Sequence, residues 1–466
     1  MQGRLIEDES IQMTELGQRA ARRRNLVAMV LVGGGMVLGG GGSPSPLPEL
    51  ALQLLACALL ASWALCARGA VFPAARPAWT IVAILLGLPL IQLIPLPPLL
   101  WHALPGRETE RAALALVGAE DAWKPWSLVP ARTLASLLAL AVPAALVLMV
   151  TSLDRFGRAM AIGMIAAVGA LALLVGVAQM AGGDANAWRF YVPDGAYVNG
   201  FQANHNSAAD VLLIAMVAFA ATVRELEARR PERRNPAVAL GFVSGGTVLF
   251  SLGVFFTASR AGTMLLPVAW LGVAFIARTW IRPDRRTIQR LAVLAGGGLV
   301  VLAILVMTSG MAARVMHRYD FGGEFRPQLW RDALFAVGQY FPFGSGMGTF
   351  VPVFVAAERL EAVDATMPNR AHNDFLEFLI EGGVFAAIAL SSILAILTRR
   401  LIQRWREART GGGHAQVVFA AAAWAIIGLH SLVDYPLRSM ALACIAAVAI
   451  STLMPLVNSR GDNPNA

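Results

Sequence analysis

Charge is scarce in this 466-residue chain, where Asp, Glu, Lys and Arg make up 14% of the residues against 57% hydrophobic ones. With a mean hydropathy of +0.61, a soluble domain of this size would be short of polar surface, so the composition points to an all-α polytopic membrane protein. Cysteine is nearly absent. Cys57, Cys66 and Cys444 fall inside apolar runs, without paired spacing or a neighbouring histidine, which argues against a disulfide or a metal site. No G-x-x-x-x-G-K-[ST] sequence occurs, which weighs against ATP-driven work in this chain. An Asp-x-Asp or clustered carboxylate pair suited to an octahedral metal ion is also missing, as is any repeat of 20 to 50 residues. Basic residues are in excess, giving a net charge of +9 and a pI near 10.4. They lie in short clusters between apolar runs, as membrane-orientation signals do, which is unlike the patch or stripe that nucleic acid requires.

What the chain does contain is a succession of apolar runs, at 26–42, 47–66, 78–98, 133–151, 158–180, 205–223, 237–256, 261–280, 291–309, 375–398, 415–433 and 438–457. Each approaches the roughly 20 residues needed to cross a hydrocarbon core of about 30 Å, which predicts about 12 transmembrane helices. With the N-terminus cytoplasmic, 25 of the 38 Lys and Arg residues fall on the inner side, although the outer side owns the two longest loops. The positive-inside rule then places both termini in the cytoplasm. The long acidic-then-basic lead before Leu26 lacks a small-x-small cleavage site, so an uncleaved first span is favoured over a signal peptide. The layout is a tail at 1–25, spans one to nine over 26–309 with an interfacial segment at 99–132, a large outer loop at 310–370, the last three spans over 371–457, and a tail at 458–466. Inner loops are too short for a nucleotide-binding fold.

The unusual polar residues gather on the outer side. Segment 99–132 carries Trp101, Trp123 and Trp126 around a polar-to-apolar stretch, as an interfacial helix pair would. The 181–204 loop brings Arg189 and ends in Asn204-His205-Asn206 at a helix entry, and Thr257-Ala-Ser259-Arg260-Ala-Gly262 makes a tight outer turn. The large loop is too long for a simple connector. Within it, Arg326 to Phe335 reads as an amphipathic helix resting on the membrane through Trp330. Gly344, Gly346 and Gly348 could let backbone amides approach an anion, or could simply make a turn. The outer turn near the C-terminus is His430-Ser-Leu-Val-Asp434-Tyr-Pro436-Leu-Arg438.

Arg370-Ala-His372-Asn373-Asp374-Phe-Leu-Glu377, followed by Glu381, combines the most features. His372 is expected in the first helical turn, where the dipole and free amides favour an anion. Asn373, Glu377 and Glu381 form a polar stripe, and the length of the span draws these carboxylates into the membrane, where they should face a wet cavity. Solvated charges at a helix start are the plainer alternative. Arginines at helix ends can likewise snorkel to lipid phosphates. Together with Arg260, the arginines Arg189, Arg314, Arg326, Arg331, Arg370 and Arg438 suit a diphosphate, because arginine offers permanent, bidentate donors.

This set resembles the O-antigen ligase and polymerase superfamily of bacterial envelope glycan transferases. The matching stretches are Trp126-Ser-Leu-Val-Pro-Ala-Arg-Thr133, Asn204-His-Asn206, Thr257-Ala-Ser-Arg260-Ala-Gly262, Arg326 with Trp330, Pro342 to Phe350, and Ala371 to Glu377 with Glu381-Gly-Gly383. The resemblance implies an enzyme of the bacterial inner membrane, working at its periplasmic face without metal or cofactor and with inversion. The donor would be a glycan on undecaprenyl diphosphate, and the acceptor a glycan or lipid A core. It makes His372 a catalytic base or the group that orients the acceptor hydroxyl, with Glu377 as a second catalytic candidate. Arg260 and Arg326 would hold the diphosphate, with Asn204, Arg189, Arg370 and Asn373 as further donor or glycan contacts. Ligase and polymerase remain open at this point. A transporter or flippase is the rival reading, but it would place polar groups at the bilayer midplane in two related halves, and neither is evident.

Overall fold

The computed structural model describes residues 2–41, 46–65, 71–182, 188–191, 197–229, 231–233, 235–280, 326–363, 367–411 and 413–456. Their backbone is dominated by fifteen α-helices: α1 Gln2–Leu38, α2 Pro46–Leu65, α3 Arg76–Gln92, α4 Pro98–Trp101, α5 Glu108–Ala115, α6 Pro130–Thr151, α7 Arg155–Ala181, α8 His205–Arg229, α9 Pro236–Phe256, α10 Arg260–Ala277, α11 Arg326–Tyr340, α12 Phe350–Ala357, α13 Asp374–Gly411, α14 His414–His430 and α15 Met440–Leu453. Local sequence explains many of the starts. Proline occupies the first turn of α3, α6 and α9, where its missing N–H has no helical partner to lose. Asp154, Asn235 and Ser259 cap α7, α9 and α10 by accepting from amides three residues on. A two-residue antiparallel pair, β1 Pro95–Leu96 with β2 Lys124–Pro125, is the only strand pairing among the described residues.

The protein is an all-α polytopic membrane protein. Seven helices, α2, α6, α7, α8, α9, α10 and α13, are long and apolar enough to cross a membrane, and α3, α14 and α15 are apolar but shorter. Helices cover eleven of the twelve apolar runs; the run at 291–309 lies outside the described residues, as do 310–325 of the large loop. Helix α8 is the hub, buried along most of its length and packed against α7, α9, α10 and α14. Small residues permit that closeness. A Cβ on Gly169 of α7 would come within 2.2 Å of Ala215 Cβ, and one on Gly262 of α10 within 2.4 Å of Ala209 Cβ.

A second, smaller core caps the His372 end of the bundle. Leu329, Ala333 and Ala336 of α11 pack with Phe350, Val353 and Phe354 of α12 and with Ala371, Leu376 and Ile380. Trp330 packs against this core, and its indole N–H donates to the Ala371 carbonyl at 2.9 Å. The expectation that Trp330 anchors α11 in lipid is therefore corrected: it braces the segment carrying His372, while Leu334 and Phe335 face outward. Two short helices, α4 and α5, lie in and at the edge of the 99–132 segment. Trp101 is buried there and Trp123 exposed.

The glycine loop after α11 turns out to be a docking element and not an anion cradle. Ser345 N–H donates to the Ile380 carbonyl, Gly346 N–H to the Glu381 carbonyl and Met347 N–H to Gln92 Oε1, all within 2.8–2.9 Å. Protein acceptors thus take the amides that a nest would aim at a ligand. Helix α13 breaks where the loop meets it, at Gly383 with φ 55° and ψ −140°. A Cβ on Gly383 would lie 2.0 Å from the Pro342 carbonyl oxygen, so both the dihedral and the contact demand glycine.

Candidate active site

Helix α13 begins at Asp374, two residues later than a first-turn position for His372 requires. Asn373 caps it, accepting from Leu376 N–H at 3.0 Å and donating from Nδ2 to the Leu432 carbonyl at 2.9 Å. His372 stands just before the cap in a left-handed conformation, φ 48°. Ala258 in the 257–262 turn has φ 57°, and these are the two non-glycine residues of this kind among the described residues. Such conformations cost of order 1–3 kcal/mol and persist where the surroundings impose them, often at functional sites.

His372 Nδ1 meets Oδ1 of Asp434 at 2.9 Å. Asp434 is buried, and its Oδ2 accepts from Asn206 Nδ2 at 2.5 Å. Asn206 Oδ1 in turn accepts from the Ser259 hydroxyl at 2.7 Å, and Ser259 Oγ accepts from Gly262 N–H at 3.0 Å. This relay ties His372 to the start of α10, where Arg260 follows Ser259. Asn204 Nδ2 donates to the Tyr435 hydroxyl at 2.9 Å, and the Tyr435 ring meets that of His372 edge-on at 4.9 Å. Burial alone would raise the Asp434 pKa. The hydrogen bond and charge of His372, the charge of His430 and the Asn206 amide outweigh that, holding it below the ordinary carboxylate value. Burial raises the Tyr435 pKa, reinforced by the Asp434 charge, so its hydroxyl stays protonated and can donate. Behind Asp434, His430 Nδ1 pairs with Asp210 Oδ1 at 2.6 Å in the bundle interior.

The three carboxylates of α13 do not face a wet cavity, as their spacing had suggested. Asp374, Glu377 and Glu381 are all 0% exposed. Arg438 Nη2 donates to Glu381 at 2.8 Å, and its Nε lies 3.4 Å from Glu377 and 3.8 Å from Asp374. Glu377 also accepts from Arg370 Nη1 at 2.9 Å and from Ala371 N–H at 3.0 Å. Asp374 accepts from the Ser431 hydroxyl and from Leu437 N–H. Burial alone would lower the Arg438 pKa, but Glu377, Glu381 and Asp374 outweigh it and raise it. The cost of membrane burial is therefore met by ion pairing, and the cluster clamps the turns on both sides of His372.

Two cavities meet at Asn369. One, of about 320 Å³, is lined by Arg132, Arg370 and Arg438 and by apolar groups that include Leu140, Pro143 and Val351. The other, of about 280 Å³, is lined by His372 with Gln328, Asp332 and Glu358. Of the residues expected in the site, His372 and Asn204 meet around Tyr435, while Arg370 and Glu377 pair directly. Arg260 follows Ser259 at the start of α10, and Arg326 opens α11. Asn373 serves as the helix cap. Arg189 lies on the 188–191 segment, next to Trp188, whose carbonyl accepts from Gln179 Nε2. Asp434, Tyr435, Asn206 and Ser259 were not singled out for the site, although three of the four stand in the quoted outer turns, where a buried acid beside a histidine was the available signal.

Residues 245–391 match the family model described as O-antigen ligase. This stretch, about a third of the chain, is similar to the O-antigen ligase family. The matched stretch contains Arg260, Arg326, His372 and the α13 carboxylates, whereas Asn204, Asn206 and Asp434 lie outside it. No curated protein matches the chain. The match supports a membrane glycosyltransferase of the O-antigen ligase or polymerase kind. Two of the quoted motif residues outside that stretch serve as framework. Trp126 donates to the Gly344 carbonyl and Thr133 to the Met347 carbonyl, so these residues hold the glycine loop in place.

Proposed function

We propose that this protein acts as a member of the O-antigen ligase family and transfers a glycan from undecaprenyl diphosphate to an acceptor hydroxyl at the periplasmic face of the inner membrane. The acceptor is lipid A core or a second glycan. The observation that carries this reading is the His372–Asp434 pair, whose histidine lies in the stretch similar to the family. With the carboxylate on Nδ1, the imidazole has one orientation and tautomer, and Nε2 takes the acceptor proton as the oxygen attacks the anomeric carbon. The bond to the diphosphate oxygen breaks with inversion, and polyprenyl diphosphate leaves. Arg260 and Arg326 meet the charge that develops on it, with Arg189 as a further contact. Glu377 acts by position, because two arginines and the Ala371 amide already engage it. The reaction needs no metal or cofactor.

His372→Ala, inserted normally in the membrane, should lower transfer about 100-fold or more, in line with loss of general-base catalysis. Near-normal transfer would overturn the assignment. Surface glycans of a deletion strain separate the two branches of the superfamily: uncapped core indicates a ligase and single repeat units a polymerase. Unchanged glycans exclude both.

A further inference from the structure

At the end of the bundle opposite His372, α7, α8, α10, α13 and α14 surround a cavity of about 590 Å³. Arg155, Arg224 and Arg278 line it, together with Glu225, His414 and apolar groups such as Ala228, Ile276 and Ala408. Two of the three guanidinium groups are held in place. Arg155 opens α7 after the Asp154 cap, and its Nη2 lies 3.3 Å from both oxygens of Glu225. Arg278 lies over the Phe275 ring at 5.2 Å and donates from Nη2 to His414 Nε2 at 3.1 Å. Arginine has no acceptor, so Nε2 supplies the lone pair and the imidazole in this contact is neutral. His414 therefore fixes Arg278 without offsetting its charge. Glu227, also on α8, is taken up by the Trp280 indole N–H.

The lining thus sets three cations against one anion, an excess of +2. Arginines at helix ends commonly reach individually for lipid phosphates, but these come from three helices and converge on one concavity. Planar guanidinium forks match phosphate oxygens, and the ends of spanning helices lie at the depth of lipid headgroups. We propose that this cavity binds the phosphate-bearing headgroup of an anionic phospholipid. The site is independent of the glycan-transfer reading.

The test uses the purified full chain in detergent micelles, with phosphatidylglycerol or phosphatidylcholine added and retained lipid counted by native mass spectrometry. Phosphatidylglycerol should be retained in preference to phosphatidylcholine. Arg278→Gln and Arg224→Gln should each weaken its retention about fivefold, the equivalent of about 1 kcal/mol per arginine near a membrane surface. Arg229→Gln is the control, since Arg229 lies over Phe156 at the same end and outside the cavity lining, and its affinity should not change. Arg224→Gln leaves the Arg278–His414 contact in place and serves if Arg278→Gln does not fold. Equal retention of the two lipids, or an equal loss in Arg229→Gln, overturns the proposal. Tighter binding of inorganic phosphate than of phosphatidylglycerol assigns the site to a free anion and overturns the lipid as its occupant.

Discussion

Asp434→Asn preserves the shape of the side chain and removes its charge, which isolates what the carboxylate does. Asp434 is 3% exposed, with one oxygen on His372 Nδ1 at 2.9 Å and the other on Asn206 Nδ2 at 2.5 Å. In the variant one of those oxygens becomes an NH₂ group, which faces either Asn206 Nδ2–H or His372 Nδ1, and Nδ1 can accept from it only if the imidazole moves its proton to Nε2. Turning Asn206 to relieve the conflict would aim its amide nitrogen at Ser259 Oγ, which now donates to Asn206 and accepts from Gly262 N–H. Keeping the Nδ1–H tautomer leaves one buried donor unmatched, at a cost of about 1–3 kcal/mol in stability, and the tautomer that avoids this cost has no lone pair on Nε2. The larger effect falls on rate, because His372 loses the group that fixes its tautomer, and kcat should drop about 100-fold, within the usual contribution of a positioned base. The assay is glycan transfer from lipid-linked donor in proteoliposomes, with kcat and donor KM measured separately. Donor KM should change by no more than about twofold, since the carboxylate does not contact the diphosphate in this scheme. Asp434 acts through His372, so Asp434→Asn should add nothing to the loss already produced by His372→Ala. Losses that multiply in the double variant, or a kcat within about threefold of wild type in a folded Asp434→Asn protein, would refute the relay.

Acid sensitivity follows from the same residue. Its folded pKa is depressed below the roughly 3.9 of an unfolded aspartate, so it contributes stability above that value, which is lost as pH falls through the folded pKa. Below about pH 4 the Tm of the wild type should therefore fall more steeply than that of Asp434→Asn, and parallel slopes would contradict the assigned interaction. Arg438→Gln leaves Asp374, Glu377 and Glu381 buried around a neutral group and should cost about 3–5 kcal/mol in chemical denaturation. Arg438→Lys should not restore it, since one ammonium cannot serve three carboxylates as the guanidinium does. Gly383→Ala should yield little folded protein, given the 2.0 Å approach to the Pro342 carbonyl, whereas Gly245→Ala, with open space around it, should be expressed and melt like wild type.

Fold class was legible because lipid leaves the backbone few choices: a long apolar run either closes its own hydrogen bonds as a helix or does not cross. Composition and run length therefore located eleven runs that the structure shows as helices. The start of α13 was harder to place, since Arg370, His372, Asn373 and Asp374 each look acceptable near a helix N-terminus. The decision fell to Asn373 as cap and to the Glu377 bond to Ala371 N–H, which holds the preceding turn. The carboxylates were misjudged for a related reason. Spacing along α13 indicates which residues share a face, but their partner Arg438 arrives from a turn 57 residues after Glu381, and no local pattern announces that contact. Asp434 was hidden in the same way: it meets His372 across 62 residues of chain and Asn206 across 228.

The same long-range pairing bears on whether Arg370 and Arg438 could serve a diphosphate. Arg370 and Arg438 both line the cavity of about 320 Å³, and by position alone they would be its phosphate ligands. Yet Asp374, Glu377 and Glu381 stand directly behind them, so with every group ionised the cluster carries two positive and three negative charges. Arg132 is the third arginine of that lining and shares it with Glu49. A dianion approaching there would find little net attraction, and taking either clustered arginine would strand buried carboxylates at a cost of several kcal/mol. The proposed scheme gives the diphosphate instead to arginines outside the cluster, Arg260 next to Ser259 and Arg326 at the start of α11. On this account the two kinds of arginine divide the work: Arg370 and Arg438 hold the turn that presents His372, and Arg260 and Arg326 handle the charge that the transfer releases.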